Sequence, residues 1–432
     1  MKFLKLKGKL IPIICLLILI TPVWISAGAD FFKDLETIFE ISGNLENAGS
    51  FSRQLALEKS KDIKGVYLTG FTGSSNSKGA ENLKRNIKTL LETTELNGVV
   101  IDVKEVEGTY FSATLEKFVK ELKEDGFWTI ARVAGFRDSF ALKEHPEWYI
   151  KNEDGSLWED ESGYYWLDPA CPGVSEYLLE VSKKAVDFGF DEIQFDYIRY
   201  PADSVLAGNN FPCTGEEERA KAINSVYLAL SGGLRSYRPD IVLSIDVFGM
   251  TSLYIEVVNL GQTLKDIAGK FDYVSPMVYP SHYFQGFSVK ADPKRGLPYL
   301  FLPYEDEDPS KVSSSHPYEI VSRSLFPAID YLSSLEEEDS GPKIKEYDHF
   351  SFEMIRDYWD QYLEFLNSSF DVDTQIRPWL QHFDLKADRE KGVFYGPDKI
   401  RLQIEAAQDS GSKGWLLWNP TNVYYEEALN QP

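Results

Sequence analysis

Eight short apolar segments alternate with longer segments of helical periodicity along this chain. The apolar segments have the β-branched and aromatic content of strands, and they lie at residues 65–70, 98–103, 128–133, 192–201, 241–249, 273–280, 376–383 and 414–420. Strands that alternate with helices pair in parallel through right-handed crossovers. The pattern therefore predicts an α/β fold, a (β/α)8 TIM barrel. The alternative is an open doubly wound sheet, which a glycine-rich phosphate motif after the first strand would favour; none is found there.

The predicted barrel covers residues 64–425, well beyond the roughly 250 residues of a minimal barrel. Most of the surplus falls into a long loop after strand three, residues 135–171, and an insertion after strand six, residues 281–351. Both follow a strand, so we expect both over the C-terminal face of the barrel. Apolar residues at three- and four-residue spacing predict helices in the connections, among them residues 255–268 and 352–366.

The N-terminus has the layout of a secretory signal peptide, which we assign to residues 1–28. Four lysines precede an apolar run at residues 10–20, and small residues follow at 26–29. An uncleaved anchor is the alternative, because the apolar stretch approaches the ~20 residues that span a bilayer. Both interpretations predict a secreted, periplasmic or cell-envelope protein, with membrane contact only if the segment is retained. Residues 29–63 would then form an N-terminal lead-in that covers the other end of the barrel.

The net charge of the chain indicates which macromolecules it should not bind. The net charge is −23, and loss of the four signal-peptide lysines would make the mature protein more acidic still. Such a protein should repel nucleic acid and anionic membranes.

Two cysteines lie beyond the signal peptide, Cys171 and Cys213. In an oxidising compartment they could form a disulfide; two free thiols are the alternative.

Polar side chains gather at the C-terminal ends of the predicted strands, where α/β barrels carry their catalytic groups. A single buried aspartate paired with an arginine would be an ordinary structural feature, but three strands deliver aspartate at equivalent depth. The candidate site residues, in chain order, are Asp102, Lys104, Arg132, Asp196, Tyr197, Arg199, Asp246, Tyr279, His282, Gln381, Trp418 and Asn419.

Two carboxyl groups that face one cleft with different pKa values suit the cleavage of glycosidic bonds. We assign Asp196 as the nucleophile or principal stabiliser and Asp246 as the general acid/base. The other candidates would bind substrate, with Asp102 and Lys104 orienting it. Aromatic residues near the strand ends match the apolar faces of sugar rings. The five histidines form no metal-binding pair, so we predict no metal and no cofactor.

The segment FDEIQFDYIRYP, residues 190–201, resembles the strand-four signature of family 18 chitinases. Asp191 and Asp196 match aspartates of that signature, whereas Gln194 and Ile198 replace its second aspartate and its catalytic glutamate. The chitinase mechanism is therefore not carried over. In α-amylase-like and α-galactosidase-like barrels an aspartate after strand four is the nucleophile, which implies that role for Asp196. The α-amylase-like acid is a glutamate after strand five, where this chain has Asp246.

A more extensive resemblance is to a bacterial family of glycosyl hydrolase domains with a (β/α)8 glycosidase-like fold. It runs from about Lys64 to Pro420 through the blocks KGVYLTG, GVVIDVK, FDEIQFDYIRYP, SIDVFG, SPMVYPSHY and GWLLWNP. It implies a glycoside hydrolase that acts on an extracellular or cell-envelope polysaccharide. A non-catalytic carbohydrate-binding barrel is the alternative. A polysaccharide lyase or deacetylase is a third hypothesis, which would predict metal dependence or a lysine or tyrosine base.

Overall fold

The computed structural model describes residues 51–202, 211–213, 219–257, 260–337 and 373–430. The predicted signal peptide, most of the predicted lead-in and the helix expected at residues 352–366 lie outside the described residues. Within them, no helix is both long enough and apolar enough to cross a membrane.

Eight parallel strands form a closed ring, which confirms the predicted TIM barrel. Each strand pairs in parallel with the next, and the last pairs with the first. The seventh strand has two short pieces, interrupted at Arg377 and Pro378. The strands are β1 Ile63–Leu68, β2 Gly98–Glu105, β3 Trp128–Ala134, β4 Glu192–Asp196, β5 Val242–Phe248, β6 Tyr273–Met277, β7 Gln375–Ile376 with Trp379–Gln381, and β8 Gly414–Trp418.

Helices follow the first seven strands and pack their apolar faces against the outside of the barrel. Helices α2, α3 and α4 place leucine, isoleucine, valine or phenylalanine at three- and four-residue spacing on the buried side. The helices are α1 Gly70–Ser74, α2 Lys78–Thr93, α3 Ala113–Glu124, α4 Pro172–Asp187, α5 Arg219–Tyr237, α6 Gly249–Tyr254, α7 Leu264–Ile267, α8 Pro317–Glu337, α9 Lys386–Glu390 and α10 Pro397–Asp409.

One sequence-based strand boundary and one predicted helix are wrong. The fourth strand ends at Asp196 and not at residue 201, because Tyr197 has a left-handed backbone with a φ of 53°. The helix expected at residues 255–268 is a two-stranded hairpin, Glu256–Val257 with Gln262–Thr263, followed by the short α7. A positive φ at Ile255 ends α6 and prevents a continuous helix.

Side chains alternate between the outside and the interior of the barrel with a two-residue period. At the N-terminal end, the interior is filled by a buried ion pair between Arg377 and Glu192, whose atoms lie 2.9 Å apart. The guanidinium of Arg377 also lies 3.6 Å from the ring centroid of Tyr273 and donates to the carbonyl of Ser60 at 3.1 Å. Ser60 ends the helical stretch that precedes β1. These contacts close this end, so any cavity in the barrel must open at the other.

The C-terminal end of the interior holds one layer of larger and mostly polar or aromatic side chains, which we call the site layer. Its members stand two residues beyond an inward-facing position on their strand and contact one another across the ring. The site layer consists of Tyr67, Asp102, Arg132, Asp196, Asp246, Trp379 and Trp418.

Candidate active site

A cavity of about 690 Å³ opens at the C-terminal end of the barrel, directly above the site layer. Its floor includes the carboxyl groups of both proposed catalytic residues, Asp196 and Asp246. Side chains from the connections after β4, β5 and β6 form its walls. Eight of the twelve predicted site residues line it: Arg132, Asp196, Tyr197, Arg199, Asp246, Tyr279, His282 and Trp418.

The guanidinium of Arg132 is the electrostatic centre of the site. Its Nη2 lies 2.5 Å from Oδ2 of Asp196, and its Nη1 lies 2.6 Å from Oδ1 of Asp102 and also contacts Glu105. Its Nε lies 3.7 Å from Oδ2 of Asp246. One buried cation cannot neutralise three buried carboxylates and a fourth, Glu105, that is half-buried, and burying an uncompensated charge is costly. Some of these carboxyl groups must therefore keep a proton.

The surroundings of Asp246 favour the protonated form of its carboxyl group. Burial raises its pKa well above the usual value, and the charge of Asp196 adds to the effect. Arg132 opposes this rise, as does a 2.8 Å hydrogen bond that the indole N–H of Trp379 donates to Oδ1. Asp246 therefore has the electrostatics of a general acid.

Asp102 and Glu105 form a second pair beside Arg132. Burial and the neighbouring charge of Glu105 raise the pKa of Asp102 to about 8, against the opposing effects of Arg132 and of a hydrogen bond from Tyr67. For Glu105, burial raises the pKa, but Arg132 outweighs it and the net shift is downward. The guanidinium thus holds Glu105 as the anion.

Asp196 has closer hydrogen-bond donors than Asp246 has. Its Oδ2 makes the 2.5 Å contact with Arg132, and its Oδ1 accepts a 2.6 Å hydrogen bond from the backbone N–H of Tyr197. Both donors stabilise a carboxylate anion. The left-handed backbone of Tyr197 is an uncommon conformation for a bulky residue, and such conformations cluster at functional sites. Here it ends the strand one residue after Asp196.

Aromatic rings form one wall of the site. The rings of Trp418 and Tyr67 lie 3.9 Å apart, and the guanidinium of Arg132 lies 5.1 Å from the Trp418 ring. Trp379 meets Trp418 edge-on at 5.7 Å. Phe284 also lines the cavity, with 58% of its surface exposed. The site thus combines apolar ring faces with carboxyl groups.

Residues 65–424 match the family described as "Putative glycosyl hydrolase domain". The chain belongs to this family. The match supports a glycoside hydrolase and confirms the resemblance found in the sequence. No curated protein sequence matches the chain.

Among solved structures, a hypothetical protein from Ruminiclostridium thermocellum is 32% identical over 42% of this chain and 97% of its own, with a TM-score of 0.36. The PgaB (BpsB) glycoside hydrolase domain from Bordetella bronchiseptica is 12% identical over 84% of this chain and 94% of its own, with a TM-score of 0.50. At that identity, the second similarity shows a shared fold.

Arg199 reaches the cavity of this glycosyl hydrolase domain because β4 ends before it. From a regular strand it would point to the face opposite Asp196. Instead its guanidinium lies 4.4 Å from the ring centroid of Phe248 and 5.0 Å from that of Trp166. It also donates to the carbonyl of Tyr200 at 3.0 Å.

Lys104 was predicted to orient substrate, and the structure corrects this. Its ammonium is fully buried and lies 2.7 Å from Oδ2 of Asp138, and it donates to the carbonyl of Ala134 at 2.7 Å. The pairing of β2 with β3 shifts register between Asp102 and Lys104. This irregularity breaks the two-residue alternation along β2, and the ammonium of Lys104 lies over the ring of Tyr177 on α4. Asp102 stays in the interior beneath Arg132 and does not line the cavity either.

Gln381 and Asn419 also lie outside the cavity wall. The Gln381 amide donates to Oγ of Ser281 at 2.6 Å, and its Oε1 accepts from the backbone N–H of Ser281 at 3.1 Å. Asn419 is hydrogen-bonded to Nδ1 of His382 at 3.1 Å and to the carbonyl of Val423 at 2.7 Å. Both side chains hold loops in place, and their predicted contact with substrate is corrected accordingly.

Three residues of the site are absent from the twelve predicted site residues: Tyr67, Glu105 and Trp379. For Trp379 and Tyr67 a signal existed, because both occupy inward-facing positions near the C-terminal ends of their strands. Glu105 follows the register shift in β2, so alternation gave no guide to its position.

Cys171 and Cys213 form a disulfide, with Cα atoms 5.2 Å apart. It joins the residue before α4 to the connection between β4 and α5. Together with Asp168 these cysteines are the one group of three potential metal ligands found in the described part of the chain. Paired sulfurs are not thiolates, and an Asp168 oxygen accepts from the backbone N–H of Cys213 at 2.7 Å. The arrangement does not fit a metal site.

Proposed function

We propose that this protein hydrolyses glycosidic bonds, with Asp246 as general acid and Asp196 as nucleophile or principal stabiliser. The observation that carries the proposal is the unequal relation of the two carboxyl groups to Arg132. Oδ2 of Asp196 lies 2.5 Å from Nη2 of Arg132, whereas Oδ2 of Asp246 lies 3.7 Å from Nε of Arg132. The pKa of Asp246 is raised. Two carboxyl groups in one cavity, one anionic and one protonated, are what glycosidic cleavage requires.

In the proposed reaction, Asp246 donates its proton to the oxygen of the departing sugar as the glycosidic bond breaks. The Asp196 carboxylate stabilises or attacks the positively charged anomeric carbon that develops. A water molecule then attacks the anomeric carbon, which breaks any bond formed to Asp196; its oxygen becomes the hydroxyl group of the new reducing end, and its released proton returns to Asp246. The guanidinium of Arg132 lies against the Asp196 carboxylate, and burial raises the pKa of Asp246, which favours the protonated form that a general acid needs.

The cavity walls support a carbohydrate as the substrate. Trp418 and Phe284 present ring faces that can pack on the C–H faces of a sugar, and Arg199 and Tyr197 supply hydrogen-bond donors at the same cavity. The predicted substrate is an extracellular or cell-envelope polysaccharide.

The disulfide supports an extracytoplasmic location. Disulfides persist in oxidising compartments and are rare in the cytosol, and Cys171–Cys213 joins two long connections. We propose that residues 1–28 direct export, as their composition indicates.

A reducing-end assay on a panel of purified polysaccharides tests the proposal. We expect the wild-type protein to release reducing ends from at least one of them. Asp246→Asn should lower the rate about 10²–10⁴-fold, the usual contribution of a general acid, and Asp196→Asn should abolish it. Asp125→Asn, at the exposed end of α3, is the matched control and should keep full activity.

The alternative, a carbohydrate-binding barrel without catalysis, predicts a different pattern. The wild type and Asp196→Asn would both bind a polysaccharide in affinity electrophoresis, and neither would release reducing ends. That result would overturn the hydrolase proposal and leave the carbohydrate site in place.

A further inference from the structure

One step below the site layer, the barrel interior is polar on one side. Gln194 on β4, Ser244 on β5 and Ser275 on β6 are all fully buried. Gln194 and Ser244 stand two residues before Asp196 and Asp246, and Ser275 is paired in register with Asp246. We call these three residues the polar layer. TIM barrels usually fill such a layer with bulky branched side chains, so three adjacent strands depart from the usual pattern here.

Contacts place the polar layer inside the barrel. The amide of Gln194 donates to Oγ of Ser275 at 3.2 Å. Their strands, β4 and β6, are separated by β5, so the two side chains can meet only in the interior. Ser244 lies on β5 between them and shares the inward face with Asp246.

The polar layer is not satisfied by protein atoms alone. Neither Oε1 of Gln194 nor Oγ of Ser244 has a hydrogen-bond partner among the described residues. Glu192, two residues before Gln194 on β4, does not supply the missing bonds. Its carboxylate accepts from Arg377 and from the indole N–H of Trp128, each at 2.9 Å. A buried polar atom without a partner costs roughly 1–3 kcal/mol. Buried water commonly supplies the missing bonds where two to four polar groups converge.

We propose that Gln194, Ser244 and Ser275 hold ordered water beneath Asp196 and Asp246, and that this hydrated layer positions the Asp246 carboxyl group. The three side chains act as positioning residues and do not touch substrate. Two serines on neighbouring strands leave space that branched residues would fill. The role of Asp246 in hydrolysis rests on the proposed function, whereas the hydrated layer itself does not.

The proposal has a consequence for the ionisation of Asp246. The charged groups that face Asp246 are Asp196 and Glu192 from β4 and Arg132 from β3, with the phenol of Tyr279 nearby. None of them belongs to the polar layer, so replacing that layer removes solvation and leaves the charges in place. Loss of the water would disfavour the Asp246 anion further and raise its pKa.

Titration of the aspartate carboxyl carbons by ¹³C NMR tests this without substrate, with Asp246→Asn used to assign the signal. We expect Gln194→Met and Ser244→Ala each to shift the Asp246 titration upward by about 0.5–1 pH unit, the equivalent of one modest hydrogen bond. Ser182→Ala is the matched control. Ser182 is buried on α4 outside the barrel and donates to the Leu178 carbonyl at 2.7 Å, so its loss should leave the titration unchanged.

An unchanged Asp246 titration in folded Gln194→Met and Ser244→Ala proteins would overturn the proposal. If either variant fails to fold, Ser275→Ala and a high-resolution crystal structure of the wild type decide the matter. Water bonded to Gln194 and Ser244 is expected there, and a dry, closed layer would contradict it. Should the wild type hydrolyse no polysaccharide, the proposed function fails, while these two measurements still test the hydrated layer.

Discussion

The indole N–H of Trp379 donates a 2.8 Å hydrogen bond to Oδ1 of Asp246 across the interior of the barrel. The two residues come from β7 and β5, which are not neighbours, so the bond spans the ring. It stabilises the carboxylate form and partly counters the burial that raises the pKa of Asp246. Trp379 therefore determines how readily the proposed acid gives up its proton.

Replacing Trp379 with phenylalanine should raise the pKa of Asp246, because the anion loses a hydrogen-bond donor. We expect the alkaline limb of the pH–rate profile to move upward by about one pH unit, with a lower maximal rate because a weaker acid donates its proton less readily. Trp415→Phe is the matched control, since that buried tryptophan belongs to the core cluster between the barrel and its helices. A Trp379→Phe profile that coincides with the wild type would contradict this role.

Removal of Arg132 should destabilise the fold in a pH-dependent way. Arg132→Met leaves Asp102, Glu105 and Asp196 buried or half-buried without their cation, and breaking such a cluster typically costs about 3–5 kcal/mol. The carboxyl pKa values then rise in the folded state above their unfolded values. The folded variant is therefore favoured at low pH and loses stability as the pH rises. Urea unfolding at pH 5 and pH 8 should show a larger deficit at pH 8; an equal deficit would refute the explanation.

The barrel could be predicted from the sequence because each strand is a short apolar run and each connection has a helical period. The site could be predicted in part for the same reason. Asp196, Asp246 and Arg132 lie at regular inward-facing positions, and alternation alone brings them together. Arg199 reaches the cavity only because the strand ends at Asp196, which depends on the left-handed backbone of Tyr197.

The errors arise where the backbone departs from the regular pattern. The register shift between Asp102 and Lys104 has no sequence signature in a run such as GVVIDVK, so the sequence does not reveal that Lys104 turns away from the cavity. Gln381 ends β7 and Asn419 follows β8, but their hydrogen bonds run to connections whose paths the sequence does not reveal. Long-range contacts of this kind are fixed by tertiary structure and not by local periodicity.

The raised pKa of Asp102 predicts a specific dependence of stability on pH. Its pKa is about 8 in the folded state and about 3.9 when unfolded, so the folded protein holds a proton that the unfolded chain releases. This contribution to stability is complete below pH 4 and declines as the pH rises to 8. The slope corresponds to about one proton per molecule, the proton that the folded protein holds and the unfolded chain releases. Asp102→Asn should flatten the decline in urea unfolding between pH 5 and pH 8. Asp125→Asn, which removes an exposed carboxylate, should keep the wild-type slope.

The buried pair of Lys104 and Asp138 should contribute to stability and not to substrate affinity. Lys104→Met leaves Asp138 without its cation, and we expect a loss of about 3–5 kcal/mol in unfolding free energy. The double variant Lys104→Met/Asp138→Asn should recover part of that loss, because no buried charge remains unpaired. The KM for polysaccharide should stay at the wild-type value in whichever variants fold. A raised KM with unchanged stability would restore Lys104 as a substrate ligand.

The disulfide should stabilise the long connections at the C-terminal face. Cys171 and Cys213 are separated by 42 residues, and the loss of chain entropy in the unfolded state for a loop of that length is worth about 4 kcal/mol. Replacing both cysteines with serine should lower the unfolding free energy by up to that amount, measured in urea under oxidising conditions. Addition of reductant should lower the stability of the wild type to that of the double variant and leave the variant unchanged. Equal stability of the oxidised wild type and the double variant would show that the bridge does not constrain the unfolded chain.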